Sequence, residues 1–350
     1  MQNMYFLGGA SPAGFETSFW SEHTALYGFY LKGGPGTGKS TLLKKIAAAF
    51  PEEPVSVYHC ASDPQSLDAV VLESRGVYIA DATAPHEAGT PLPCVTGELV
   101  DLAAGLHSEL LQESAGEIRS SYRENCSLHQ QARKGFAGIA AMEAQVDAVG
   151  TAALDTEKLC GFAERLAGRL LPKRQAQQGK LLFRQRIAVT PKGRLAFLPP
   201  EHDLILLRDS VGTASAALLR QLADAAAVRG LRCEVTRSLT LPERPPVLLC
   251  LPEQKLTVAA EHALPADPAV SPVSVIRMQR FYHSEMLRRH RTLLRFCKKT
   301  AESAEMRTAE LLAEALRVHD ALEAYYIRAL HQPFLDRTAA ELIDRIRARS

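Results

Sequence analysis

The chain is written twice. Residues 32–43, KGGPGTGKSTLL, recur as residues 208–219, RDSVGTASAALL, with the basic first residue, the Gly-Thr pair and the closing Leu-Leu kept. The displacement of 176 positions is close to half of the 350 residues, so the duplicated unit is half a chain and not one loop. Three further landmarks keep the order: Ser11-Pro12-Ala13-Gly14 returns as Thr190-Pro191-Lys192-Gly193, GVYIADATA at 76–84 as KLTVAAEHA at 255–263, and FAERL at 162–166 as LIDRI at 342–346. A polar connector, PKRQAQQGK at 172–180, carries the Pro and Gly that stop a helix. The expected organisation is two domains, 1–171 and 181–350, each closing on a long segment rich in Ala, Leu, Glu and Arg, 97–171 in the first and 275–350 in the second.

Each copy reads as a hairpin-like lead-in, a strand, a loop, a helix and two more apolar strands. In the first copy the strands fall near 28–31, 55–60 and 77–80 and are almost continuously apolar, as strands covered on both faces must be. Strand and helix in alternation imply an α/β fold with mainly parallel sheets. Residues 301–330 hold neither Gly nor Pro and keep helical apolar spacing, which predicts a long helix or helical hairpin. With 46% hydrophobic residues the chain can bury two cores.

Chemistry concentrates at 33–41. Gly33, Gly34, Pro35, Gly36, Thr37, Gly38, Lys39 and Ser40 satisfy G-x-x-x-x-G-K-[ST] between an apolar strand and the helix STLLKKIAAAF. Glycines let the backbone wrap phosphate oxygens with torsions other residues resist, and the amides there sit at the positive end of a helix. Lys39 is expected to bridge β- and γ-phosphate oxygens, Ser40 to hold Mg²⁺ through its hydroxyl, and Thr41 to reach the α-phosphate region. In the second copy Val211, Ala214, Ser215 and Ala216 stand where the first has Pro35, Gly38, Lys39 and Ser40. That loop has lost the ammonium and the metal-binding hydroxyl, and is expected to bind no Mg-nucleotide.

LKGGPGTGKSTLLKKIA is a close form of the Walker A motif, so the chain resembles the P-loop NTPases. With FLGGASPAGF, YHCASDPQSLDAV, DATAPH and a degenerate second half, it is similar to a bacterial family of tandem P-loop ATPases, also described as nucleotide-kinase-like. The resemblance implies tandem P-loop NTPase-like domains, ATP and Mg²⁺ as ligands, and an acidic residue ending a buried strand that reaches Mg²⁺ through water, for which GVYIAD offers Asp81. Members can carry intact loops in both halves, and this sequence departs from that pattern. No glutamate follows Asp81, which lowers the expected rate of hydrolysis. Asp63 reads either as a helix N-cap with Pro64 at the first helical position or as the group that orients an attacking water, with His59, Asp68 and His86 in the same region. Arg119 and Arg123, four apart, form either a phosphate-clamping lid or a solvated helix face.

The only asparagines are Asn3 and Asn125, so the N-K-x-D signature for guanine is absent and ATP is the expected nucleotide. The 41 Lys and Arg nearly balance 39 Asp and Glu, so no whole-molecule field selects nucleic acid. Residues 277–299 are nevertheless basic with interleaved aromatics, the pattern of a nucleic-acid-facing surface or of a basic face packed on acidic helices around Glu98 to Glu124. Seven cysteines without C-x-x-C spacing argue against a disulfide framework or a zinc site and for a reducing cytoplasm; no run of 18 apolar residues suggests a membrane. The expected function is an ATP- and Mg²⁺-binding NTPase whose slow hydrolysis drives a conformational change between an active first half and a pseudo-NTPase second half. Two alternatives stay open: a small-molecule or nucleotide kinase with a separate phosphate acceptor, and a non-hydrolysing ATP-sensing module that recruits a protein partner through its long helices.

Overall fold

The apolar runs form the central strands of two sheets built to one plan. The computed structural model describes residues 3–172, 179–241, 243 and 245–349. The first copy runs β1 (Asn3–Phe6), the hairpin β2 (Gly9–Ser11) and β3 (Gly14–Glu16), a one-turn helix α1 (Phe19–Glu22), β4 (Tyr27–Lys32), α2 (Lys39–Ala48), β5 (Ser56–His59), β6 (Leu67–Leu72), β7 (Val77–Asp81), β8 (Gly97–Asp101), α3 (Ser108–Glu113), α4 (Ala115–Ala153) and α5 (Thr156–Leu170). The second repeats it without the one-turn helix: β9 (Lys180–Phe183), the hairpin β10 (Ile187–Thr190) and β11 (Gly193–Ala196), β12 (Asp203–Arg208), α6 (Thr213–Val228), β13 (Arg232–Arg237), β14 (Pro246–Leu251), β15 (Leu256–Ala260), β16 (Pro272–Arg277), α7 (Ser284–Arg289), α8 (Arg291–Ala329) and α9 (Gln332–Arg347).

The sheet orders are β1-β5-β6-β7-β4-β8 and β9-β13-β14-β15-β12-β16. Five strands of each run parallel, and one, β6 or β14, is reversed. Register repeats as well: Leu31 lies opposite Asp81 and Leu207 opposite Ala260, which puts an alanine in the place of Asp81. Both α4 and α8 are 39 residues long. Because α5 and α9 then start at Thr156 and Gln332, FAERL aligns with residues 338–342, and its echo LIDRI lies one helical turn out of register.

Three strands of the first copy go beyond the sequence reading, β1, β6 and β8. No helix follows Asp63: its carboxylate accepts from the Gln65 N–H and the Ser66 hydroxyl in a turn, and β6, buried at all six positions, comes next. A short apolar run with Val70 and Val71 inserted between two strands outweighs the local Asp-Pro helix signal. The basic run 277–299 is not one helix either. It spans the end of β16, α7 and the start of α8, with breaks at His283 and His290.

Helices do not stay with their own sheets. The long helices α4 and α8 lie antiparallel, with Asn125 Nδ2 donating to the Ala315 carbonyl at 2.8 Å and Leu106 paired with Leu330 at one end, Leu154 with Tyr282 at the other. The basic run therefore sits at the end of this pair away from Glu98 to Glu124, which corrects the packing expected for it. Helix α9 inserts Leu335, Ala339, Leu342 and Ile346 into the first sheet's core beside Phe29, Leu42 and Ile46. Reciprocally, α5 inserts Leu159, Ala163, Leu166 and Ala167 beside Leu218 and Leu222 of the second. Each such Leu or Ile contributes about 1.5–3 kcal/mol by burial. The division 1–171 and 181–350 thus describes the repeat, while the packing units exchange their last helices; residues 173–178 of the connector lie outside the described residues.

The halves also meet at a buried polar junction, where Arg186 pairs with Glu234 at 2.8 Å and the Tyr5 hydroxyl donates to Glu234 at 3.0 Å. Among the described residues no helix is long and apolar enough to cross a membrane.

Candidate functional site

Strand β4 ends at Lys32 and α2 begins at Lys39, so residues 33–38 form the crossing. Gly36 (φ 67°) and Gly38 (φ 83°) adopt the left-handed conformation that a side chain resists, and Gly38 is the N-cap of α2. Thr37 is buried and its hydroxyl donates to the Gly34 carbonyl at 2.9 Å. Lys39 Nζ folds back to donate to the carbonyls of Gly33 (3.0 Å) and Gly34 (2.8 Å), and lies 3.7 Å from Asp81 Oδ2 at the end of the neighbouring β7. Asp81 Oδ1 accepts from the Thr83 N–H at 2.8 Å, and the Thr83 hydroxyl donates to the Gly33 carbonyl. Ser40 Oγ accepts from the Leu67 N–H at 3.0 Å, tying the loop to β6.

The fold thus gathers Gly33 to Ser40 and Asp81. Thr41 is exposed on α2, Asp63 is engaged in its own turn, and Arg119 and Arg123 are exposed on α4 with no hydrogen bond to residues 33–40 among the described residues. Arg208, at the second loop's entrance, pairs with Glu261 in solvent.

Sequence reasoning missed what covers the loop. Glu323 of α8, from the other half, accepts a hydrogen bond from the Gly36 N–H at 3.0 Å. A Cβ on Gly36 would lie 2.7 Å from the Glu323 carbonyl oxygen and 2.9 Å from Tyr326 Cβ, so only glycine fits under the helix. Leu335 of α9 closes over Gly38. The one signal that pointed here is the repeat itself: the residue 176 positions before Glu323 is Asp147 on α4, which accepts from the Thr213 hydroxyl of the second loop at 2.8 Å.

The second loop is shorter. Its only left-handed glycine is Gly212 (φ 97°), and α6 starts at Thr213, two repeat positions earlier than α2, because Ala214 takes up helical backbone where Gly38 does not. Asp209, at the position of Gly33, is buried and fills the space left. Its carboxylate accepts from the Val211 N–H (3.0 Å), the Ser215 N–H (2.9 Å), the Ser215 hydroxyl (3.0 Å) and the Tyr282 hydroxyl (3.0 Å). A cavity of about 890 Å³ opens beside this second loop, lined by Glu143, Asp147, Arg194, Val211 and His262 among others.

Behind the first loop lie three further groups from separate elements: Cys60 after β5, Asp68 in β6 and His86 in the segment after β7. Asp68 and His86 are buried, with His86 Nε2 3.4 Å from Asp68 Oδ2. Burial, and then the nearby Asp81 carboxylate, pushes Asp68 up to about 8; burial pulls His86 down to about 4 and pushes the Cys60 thiol well up. No protein-family model, curated protein or solved structure matches the chain.

Proposed function

We propose that the 33–40 loop binds the triphosphate of ATP with Mg²⁺, and that the nucleotide displaces Glu323 and so couples turnover to movement of α8 against the first sheet. The observation that carries this reading is the hydrogen bond from the Gly36 N–H to the Glu323 carboxylate: a loop amide already holds an anionic oxygen, supplied by the opposite half. Lys39, released from the carbonyls of Gly33 and Gly34, meets the β- and γ-phosphate oxygens. The Ser40 hydroxyl on the loop and Asp81 beside it fit a hard cation with oxygen ligands, and Mg²⁺ when bound neutralises phosphate charge. In this reading the halves are P-loop NTPase-like domains and the second is a pseudo-NTPase whose loop Asp209 fills. A cytoplasmic setting agrees with the seven cysteines, all free.

Calorimetric titration of ATP with Mg²⁺ tests it. The wild-type chain is expected to bind, and Lys39→Ala to weaken binding about ten- to a hundredfold through loss of a charge-assisted contact. No heat, or an unchanged affinity in the variant, overturns the proposal. Phosphate release from ATP alone then marks a hydrolase, release that requires an added acceptor a kinase, and binding without turnover a sensing module.

A further inference from the structure

From Cys60, Asp68 and His86 we infer a binding site for a thiolate-accepting divalent ion, zinc by its chemistry, at the ends of the inner strands β5, β6 and β7 of the first sheet and distinct from the Ser40 and Asp81 pair. The ligand atoms of the three residues lie within 4.8 Å of one another. They comprise a sulfur, a carboxylate oxygen and an imidazole nitrogen, the donor set of zinc and not of Mg²⁺, and three protein ligands leave a fourth tetrahedral position open. The 3.4 Å between His86 Nε2 and Asp68 Oδ2 is close to the edge of about 3.3 Å that two zinc–ligand bonds enclose at the tetrahedral angle.

Two further observations point to a missing partner. Asp68 Oδ2, the oxygen that faces His86 Nε2, is buried without a hydrogen-bond partner, and both side chains are 9% exposed. Buried polar atoms are nearly always satisfied in native proteins, and a cation between these groups would satisfy the carboxylate. Once ionised, Asp68 would repel Asp81 across the site, with Lys39 as the attractive neighbour, and a cation there would relieve that repulsion. On binding, the Cys60 thiol and the Asp68 carboxyl give up protons to solvent, and His86 is already neutral, with a lone pair to offer. Cys60 is half-buried, which leaves a way in. Spacing along the chain hid this site, because the expectation of no zinc rested on the absence of C-x-x-C, whereas here three separate elements each supply one ligand.

The test uses the full chain stripped of metal by a chelator, with Mg²⁺ in excess to hold the other site and no nucleotide present. Co²⁺ is titrated as a spectroscopic stand-in. One equivalent is expected to give a thiolate-to-cobalt band in the near ultraviolet and the strong visible bands of a tetrahedral centre, both erased by Zn²⁺. Cys60→Ser should abolish the thiolate band, and His86→Gln should lower Co²⁺ affinity at least about tenfold. Absence of the thiolate band in the wild-type chain, or its survival in Cys60→Ser, overturns the inference. If Cys60→Ser does not fold by circular dichroism, His86→Gln and Asp68→Asn decide: unchanged affinity in both overturns it. Because no nucleotide is used, the result is independent of ATP binding.

Discussion

Two loops occupy the same place in the repeat and both hold a carboxylate, but they hold it in different ways. Asp209 belongs to its own loop, is buried, and is fixed by four hydrogen bonds. Glu323 reaches the first loop from the opposite half, makes one hydrogen bond to it, and its side chain is 35% exposed. The first carboxylate is held from within its loop and out of solvent; the second is a single, partly exposed contact from outside. A duplicated fold can therefore keep its shape when its loop residues change, because the demand of a helix N-terminus for negative charge is met from within. The apolar strands and helix faces make the core by a separate requirement, and survive the change.

The largest effect is expected from Leu342→Ala in α9, about 2–5 kcal/mol in urea unfolding, since Leu342 is almost fully buried in the first core. Amide exchange should then quicken in β4 and α2 and not in β12 and α6; the reverse would refute the exchange of helices. Next, Asp209→Ala should cost about 2–4 kcal/mol, because amides of Val211 and Ser215 and the Tyr282 hydroxyl lose their acceptor in a buried place. A smaller loss would mean that the second loop is as open to exchange as the first.

Glu323→Gln leaves the packing of α8 but weakens its competition for the Gly36 amide. ATP should bind about fivefold more tightly, a gain of about 1 kcal/mol that allows for the exposure of Glu323, whereas Asp147→Asn should leave ATP affinity unchanged. Last, His23 in the first half's aromatic nest is buried against Phe19 and Tyr58, and burial lowers it to about 3. Its folded value lies below its unfolded one near 6.5, so the unfolded chain takes up the proton first and stability falls as pH drops from 6.5 towards 3. Between pH 6.5 and 5.5 the loss from this group should be about 1 kcal/mol, and His23→Gln should remove it from the measured pH dependence.

Much of the fold was legible in the sequence. The 176-residue displacement recurs in the 39-residue helices, and the Asp81 to Ala260 equivalence is borne out by strand register. Strands β4, β5 and β7 were readable as apolar runs; β6 was hidden behind an Asp-Pro pair whose local meaning is ambiguous. The loop and its neighbours Lys39, Ser40 and Asp81 were readable because one motif and one strand end place them. Glu323 and Tyr326 were not, since an apolar stripe tells that a helix is buried but not against which sheet. Length held the missing clue. A helix of 39 residues spans about 58 Å, more than a small domain's diameter, so the helix that follows it must land on something distant.

The exchange of α5 and α9 also sets an order of events on the ribosome. Strand β4 and the 33–40 loop emerge early, yet Leu335, Leu342 and Ile346 follow about 300 residues later, and until then the first sheet presents a bare apolar face. A nascent chain therefore lacks both the lid over its glycines and the wall behind them. The half that carries the 33–40 loop matures last in time although it comes first in sequence, and a product cut short before α9 would expose its own defect to chaperones and proteases.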